Sequence, residues 1–147
     1  MWNEGSKLLE LEATKGATGV LPETGRKKVL VIEDHSSLNY LLGIRLRHEG
    51  FEVSSAFDGI EGLERALSDG PDLIVLDLGL PKLSGADVLR QLRSHPAVFE
   101  VPVVILTGRR DYEVPGLFDE WCSVRRVFHK PTPSSRIVRV ISTLLES

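Results

Sequence analysis

Three short runs of uninterrupted apolar residues constrain this chain more than anything else in it: Val29-Leu30-Val31-Ile32, Leu73-Ile74-Val75-Leu76 and Val103-Val104-Ile105-Leu106. Each is too short for a globular helix and lacks the alternation of a half-exposed strand. Each therefore reads as a strand buried on both faces. Phe51, Val53, Ser55 and Phe57 alternate with more polar neighbours, the pattern of an edge strand. Val124-Arg125-Arg126-Val127-Phe128 is a fifth strand, and its two arginines place it at an edge as well.

Helical patterns fill the intervals. Ser36 or Ser37 is positioned to cap a helix carrying Leu38, Leu41, Leu42 and Leu46 that stops at Gly50. Asp58, with Glu61 three residues on, forms a capping-box pattern ahead of Ile60, Leu63 and Leu67, and Ser84 with Asp87 does the same ahead of Val88, Leu89 and Leu92. Pro133 and Ser134 open a last helix with Ile137, Val140, Ile141 and Leu144 on one face. Five strands alternating with five helices imply an α/β fold, a doubly wound parallel sheet with helices on both faces. With the second and fifth strands as edges, the strand order is 2-1-3-4-5, as in flavodoxin-like folds.

The chain's 147 residues suit one domain with a proper core. Regular patterning begins at Lys27, which divides the sequence into an N-terminal tail, 1–26, read as flexible, and a domain, 27–147. The tail holds one short leucine-containing stretch, Leu8-Leu9-Glu10-Leu11, and the run Leu21-Pro22-Glu23-Thr24-Gly25. That run matches a cell-wall sorting signal, but a domain follows it in place of an apolar segment and basic tail, so the match is read as coincidental. A net charge of −3 gives no basic footprint for nucleic acid or an anionic membrane. No apolar run approaches the roughly 20 residues that span a bilayer. The N-terminus lacks the basic and apolar regions of a secretory signal. The single cysteine, Cys122, excludes an internal disulfide framework and fits a reducing compartment. The expectation is a cytoplasmic protein without direct nucleic-acid or membrane binding.

In an open α/β sheet, ligands bind beyond the carboxyl ends of the strands. Strand one ends in Glu33-Asp34, strand three in Asp77, strand four in Thr107 and strand five in His129-Lys130. Three carboxylates, a hydroxyl and an ammonium are thus expected on one patch. Carboxylates packed together repel, and a hard divalent cation would neutralise them. Lys130 adds a positive charge for a phosphoryl oxygen and Thr107 a hydrogen-bond donor. A carboxylate is also a competent nucleophile, giving an acyl phosphate. Phosphoryl transfer asks mainly for positioning and charge stabilisation, which a metal and a lysine supply.

These residues resemble a known family. Glu33-Asp34, Asp77-Leu78-Gly79-Leu80-Pro81 with Gly85 following, Thr107-Gly108 and Lys130-Pro131, each closing its expected strand in order, look like the response-regulator receiver domain of two-component signalling. The resemblance covers roughly 27–147. It implies that Asp77 is the phosphoacceptor, that Asp34 and Asp77 ligate Mg2+ (with Mn2+ an alternative), and that Gly79 lends its backbone carbonyl while Glu33 acts through water. It further implies that Thr107 and Lys130 bind the phosphoryl group and that the Lys130-Pro131 peptide is cis. The implied partners are a histidine kinase or histidine phosphotransfer protein and an output partner or domain. Such a domain catalyses its own phosphorylation and dephosphorylation but is a switch, not a turnover enzyme.

Two positions depart from the family pattern. Val127 stands where the family has an aromatic residue three before the lysine, and Phe128 cannot substitute because successive strand side chains face opposite sides. Pro115 falls where the fourth helix is expected, so that helix is predicted to begin near it, after an extended loop over 108–114. Two other functions compete: a docking module on the same fold that no longer uses phosphorylation, and a flavodoxin-like cofactor protein. The Glu33-Asp34 pair argues against the second, since it would repel a cofactor phosphate. His35 and His129 are read as surface residues flanking the site, Cys122 as a structural thiol, and Arg109-Arg110 and Arg125-Arg126 as solvated charge.

Overall fold

The computed structural model describes residues 25–108 and 123–146. In chain order they form β1 (Lys28–Ile32), α1 (Ser36–His48), β2 (Glu52–Ala56), α2 (Gly59–Asp69), β3 (Leu73–Asp77), α3 (Gly85–Arg93), β4 (Val103–Thr107), β5 (Val124–His129) and α4 (Ser134–Leu145). The expected helix near Pro115, the pair Arg109-Arg110, Cys122 and most of the expected tail lie outside the described residues.

All strand pairs are parallel, in the order β2-β1-β3-β4-β5. The three apolar runs are β1, β3 and β4 in the centre, and the two strands read as edges are the outer ones. Alternating side chains build two cores. One holds Leu30, Ile32, Ile74, Leu76 and Ile105 against α2 and α3, and the other holds Val29, Val31, Val75, Val104 and Leu106 against α1 and α4. Both faces are covered, which explains why the central strands are apolar throughout.

Several inward-facing positions differ from the sequence reading. On α2 the residues against the sheet are Gly59, Gly62 and Ala66, while Ile60 and Leu67 are exposed. Close approach is the reason: a Cβ on Gly62 would lie 2.6 Å from Ile32 Cγ2, and one on Gly59 would overlap the Leu83 carbonyl at 1.9 Å. On α1, Asn39 takes the inward place read for Leu41, which is exposed. The α1 cap is His35, with no side-chain bond, so Ser36 and Ser37 are first-turn residues and not caps. On α4, Val138 is buried beside Ile137 and Ile141. Phe57 falls past the end of β2 and is exposed. The other caps are as expected: Asp58 accepts from the Glu61 N–H at 2.8 Å, and Ser84 from the Asp87 N–H at 3.2 Å.

Candidate functional site

Parallel strands direct their carboxyl ends to one edge, and the residues just past those ends meet there. Glu33 and Asp34 follow β1, Asp77 closes β3, Thr107 closes β4, and Lys130 follows β5. The register places Asp77 beside Leu106, and the Leu78 N–H donates to the Leu106 carbonyl at 3.2 Å. Lys130 donates its N–H to the Thr107 carbonyl at 2.8 Å, so the sheet ladder itself aims the lysine across the strand ends. The Lys130-Pro131 peptide is cis, as the resemblance implied.

Glu33, Asp77 and Thr107 are buried, and Asp34 is exposed. One oxygen from each of Glu33, Asp34 and Asp77 can be chosen so that all lie within 4.8 Å of one another. Lys130 Nζ sits 2.8 Å from Glu33 Oε1 and 3.3 Å from Asp77 Oδ2. Asp77 Oδ1 accepts from the Gly79 N–H at 3.0 Å, which leaves the Gly79 carbonyl uncommitted by that bond. Glu33 Oε2 accepts from the His35 N–H at 3.0 Å.

Burial pushes the Glu33 carboxyl up, the Lys130 and His35 donors pull it back, and Asp77 pushes it up again, for a net rise. Burial pulls the Lys130 ammonium down, but Glu33 and Asp77 together outweigh it, and the net effect is upward. One ammonium therefore serves two buried carboxylates with a third alongside, a set that one cation leaves under-neutralised. Glu33 Oε1 is fully buried and, despite its ion pair, accepts no well-directed hydrogen bond among the described residues. An all-oxygen donor set with surplus negative charge fits Mg2+ or Mn2+.

A family model for the response regulator receiver domain matches residues 29–142. The chain belongs to the response-regulator receiver family. Its receiver domain is 45% identical over 83 residues to the alkaline phosphatase synthesis transcriptional regulatory protein PhoP of Bacillus subtilis, covering 56% of this chain and 34% of that protein. It is 39% identical over 84 residues to the response regulator ArlR of Staphylococcus saprophyticus, covering 57% and 37%. The chain thus spans about a third of the length of these curated relatives. Among solved structures, a receiver domain protein from Methanospirillum hungatei superimposes with a TM-score of 0.73 at 21% identity, over 82% of this chain and 94% of the other. One from Clostridium thermocellum gives 0.67 at 28%, over 80% and 92%.

Every site residue expected from the sequence stands at this edge of the receiver sheet. A docking module that had discarded the site would have no need of these charges, and that reading is not favoured. At the position that departs from the family, Val127 packs with the α2–α3 core while Phe128 lies in the α1–α4 core, so the two do face opposite sides. Arg125 and Arg126 are exposed, and Arg126 lies 5.2 Å from the Phe128 ring centroid. His35 and His129 are exposed.

The sequence reading missed two supports of the site. Fully buried Asn39 donates its side-chain amide to the Glu33 carbonyl at 2.9 Å and to the Ala56 carbonyl at 3.0 Å. The available signal was a polar residue three before Leu42 and seven before Leu46, on the inward stripe of α1. The second is Lys82, held at φ 69° in the loop after Asp77, with Nζ 3.3 Å from Asp58 Oδ2. The loop also meets the start of α2 through the Gly59 N–H, which donates to the Pro81 carbonyl at 3.3 Å.

Proposed function

We propose that this receiver domain is a phosphorylation switch that accepts a phosphoryl group on Asp77 from a histidine kinase or histidine phosphotransfer protein. The observation that carries the reading is the cluster of Glu33, Asp34 and Asp77 with the Lys130 ammonium on two of its members. Asp34, Asp77 and the Gly79 carbonyl would hold Mg2+ or Mn2+, with Glu33 acting through water. Such an ion, when bound, neutralises charge on the phosphoryl oxygens.

A carboxylate oxygen of Asp77 attacks the phosphorus of a phosphohistidine. The new O–P bond forms as the P–N bond breaks, and the electron pair leaves with the imidazole, which takes a proton from solvent. Lys130 moves its ammonium from partnering carboxylates to partnering a phosphoryl oxygen, and Thr107 donates its hydroxyl to another. Hydrolysis reverses the modification: water attacks the phosphorus and the Asp77 carboxylate leaves. The domain thereby performs its own phosphorylation and dephosphorylation without being a turnover enzyme. Its switching acts on an output partner or domain, as a bias between two conformations. A cytoplasmic site of action follows from the proposed donor, and no helix of the described residues is long and apolar enough to cross a membrane.

Intact mass after incubation with Mg2+ and acetyl phosphate tests the proposal. A single labile phosphoryl adduct is expected, absent without the metal and absent in Asp77→Asn. No adduct on folded wild-type protein would overturn it.

A further inference from the structure

The first helix leaves two apolar side chains outside the core: Leu41 is 41% and Ile44 48% exposed. Together with Val138 of α4 they floor a groove of about 640 Å³ between the two helices. Its rim is basic. Arg45, His48 and Arg139 line it, all exposed, and neither guanidinium is drawn into an ion pair among the described residues. Glu49 is the one acidic residue lining it, at the end of α1. An apolar floor under a basic rim fits an apolar segment that carries carboxylates.

This chain contains such a segment. Leu8-Leu9-Glu10-Leu11-Glu12 combines three leucines with two glutamates. It also starts from the right place. The Glu52 N–H donates to the Lys27 carbonyl at 2.9 Å, so the chain enters β1 only three residues of α1–β2 connection away from Glu49. Those three residues span at most about 11 Å, whereas the twelve residues at 13–24 can reach about 40 Å. A tether of this length holds its end at an effective concentration of order millimolar, so a weak contact suffices to be populated. A second copy of the groove is a poorer occupant: a two-fold contact sets each patch against itself, cation against cation.

We propose that residues 8–12 of this same chain occupy the α1–α4 groove, leucines on Leu41, Ile44 and Val138, glutamates toward Arg45 and Arg139. The segment then competes for that face with any partner that docks on α1. The reading does not depend on phosphorylation of Asp77.

Paramagnetic broadening in the full chain tests it, with a spin label at Gly5→Cys in a Cys122→Ser background. The amides of residues 41–48 and 138–142 are expected to broaden strongly. Adding Leu9→Ser and Leu11→Ser should return them to the level of α2 amides, on the far face. Equal broadening of both faces would overturn the proposal. So would broadening of isotope-labelled chain by separately spin-labelled chain, which would assign the contact to a second copy. Hydrogen exchange in the otherwise native chain is the check if Cys122→Ser fails to fold. Faster exchange over 41–48 in Leu9→Ser/Leu11→Ser than in wild type is expected, and identical exchange overturns the assignment.

Discussion

Asn39 and Glu33 are joined by a hydrogen bond that ties the buried face of α1 to the acidic end of β1: the Asn39 amide donates to the Glu33 carbonyl at 2.9 Å. The same nitrogen donates to the Ala56 carbonyl at 3.0 Å, so one side chain fixes the ends of two neighbouring strands. Glu33 is held from three directions, by Asn39 at its carbonyl and by His35 and Lys130 at its carboxylate.

Asn39→Leu keeps the approximate volume and removes both donations: the buried Glu33 carbonyl loses its partner, while the Ala56 carbonyl keeps the Glu33 N–H at 3.0 Å. The expected loss is about 1–3 kcal/mol, the usual penalty for an unsatisfied buried group. Urea denaturation should show a lower midpoint with an unchanged slope. An unchanged midpoint would mean that water replaces the amide at no cost.

Two glycines near Asp77, Gly79 in the loop after β3 and Gly85 at the start of α3, should respond differently to alanine. A Cβ on Gly85 would lie 2.4 Å from the Asp77 carbonyl oxygen and 2.5 Å from Leu78 Cα, both backbone atoms that cannot swing away. Gly85→Ala should cost at least the roughly 1–3 kcal/mol of an overpacked core. A Cβ on Gly79 meets nothing nearer than Asp77 Oδ1 at 3.9 Å. Gly79→Ala should therefore leave stability within about 0.5 kcal/mol of wild type, as at ordinary surface sites. Thermal melts of the two variants side by side decide the point.

The Asp58 carboxyl is held below its ordinary value of 3.8 chiefly by the Glu61 N–H, with Lys82 contributing. A folded value below the unfolded one means that the folded state binds the proton less tightly. The contribution to stability is present above pH 3.8 and is lost as pH falls through the folded value. Asparagine caps helices about as well as aspartate. Asp58→Asn should therefore be less stable than wild type at neutral pH, with the difference shrinking below about pH 4. A difference constant from pH 7 to pH 3 would remove the charge from the explanation.

Mg2+ should raise the melting temperature, because the assembled carboxylates exist only in the folded chain. At a hundredfold excess over its dissociation constant a ligand contributes about 2.7 kcal/mol. Asp34 is the exposed member of the cluster, so Asp34→Ala removes a ligand without opening the core. The expected result is loss of the Mg2+ shift with little change in the metal-free melt. A retained shift would place the ion elsewhere.

The sequence by itself determined the sheet and the edge on which the site stands. Central parallel strands buried on both faces must be apolar throughout, and that leaves a mark no helix or half-exposed strand shares. Their polar residues are pushed to the strand ends, so Glu33, Asp34, Asp77, Thr107 and Lys130 were legible as one patch before any coordinates. Which residues face inward on the helices was decided only in three dimensions. On α2 the apolar stripe of Ile60 and Leu67 is exposed, while Gly59 and Gly62 face inward because the helix approaches Ile32 and Leu83 more closely than a Cβ permits. Asn39 sits in the core because the Glu33 carbonyl takes its donor from there and the Ala56 carbonyl a second one, and no helical period announces such a need. The ion pair of Lys130 with Glu33, 97 positions apart in sequence, is of the same kind. Hydrophobic periodicity is a local property and can be read along the chain, whereas closeness of approach and the pairing of buried polar groups arise only when distant segments meet.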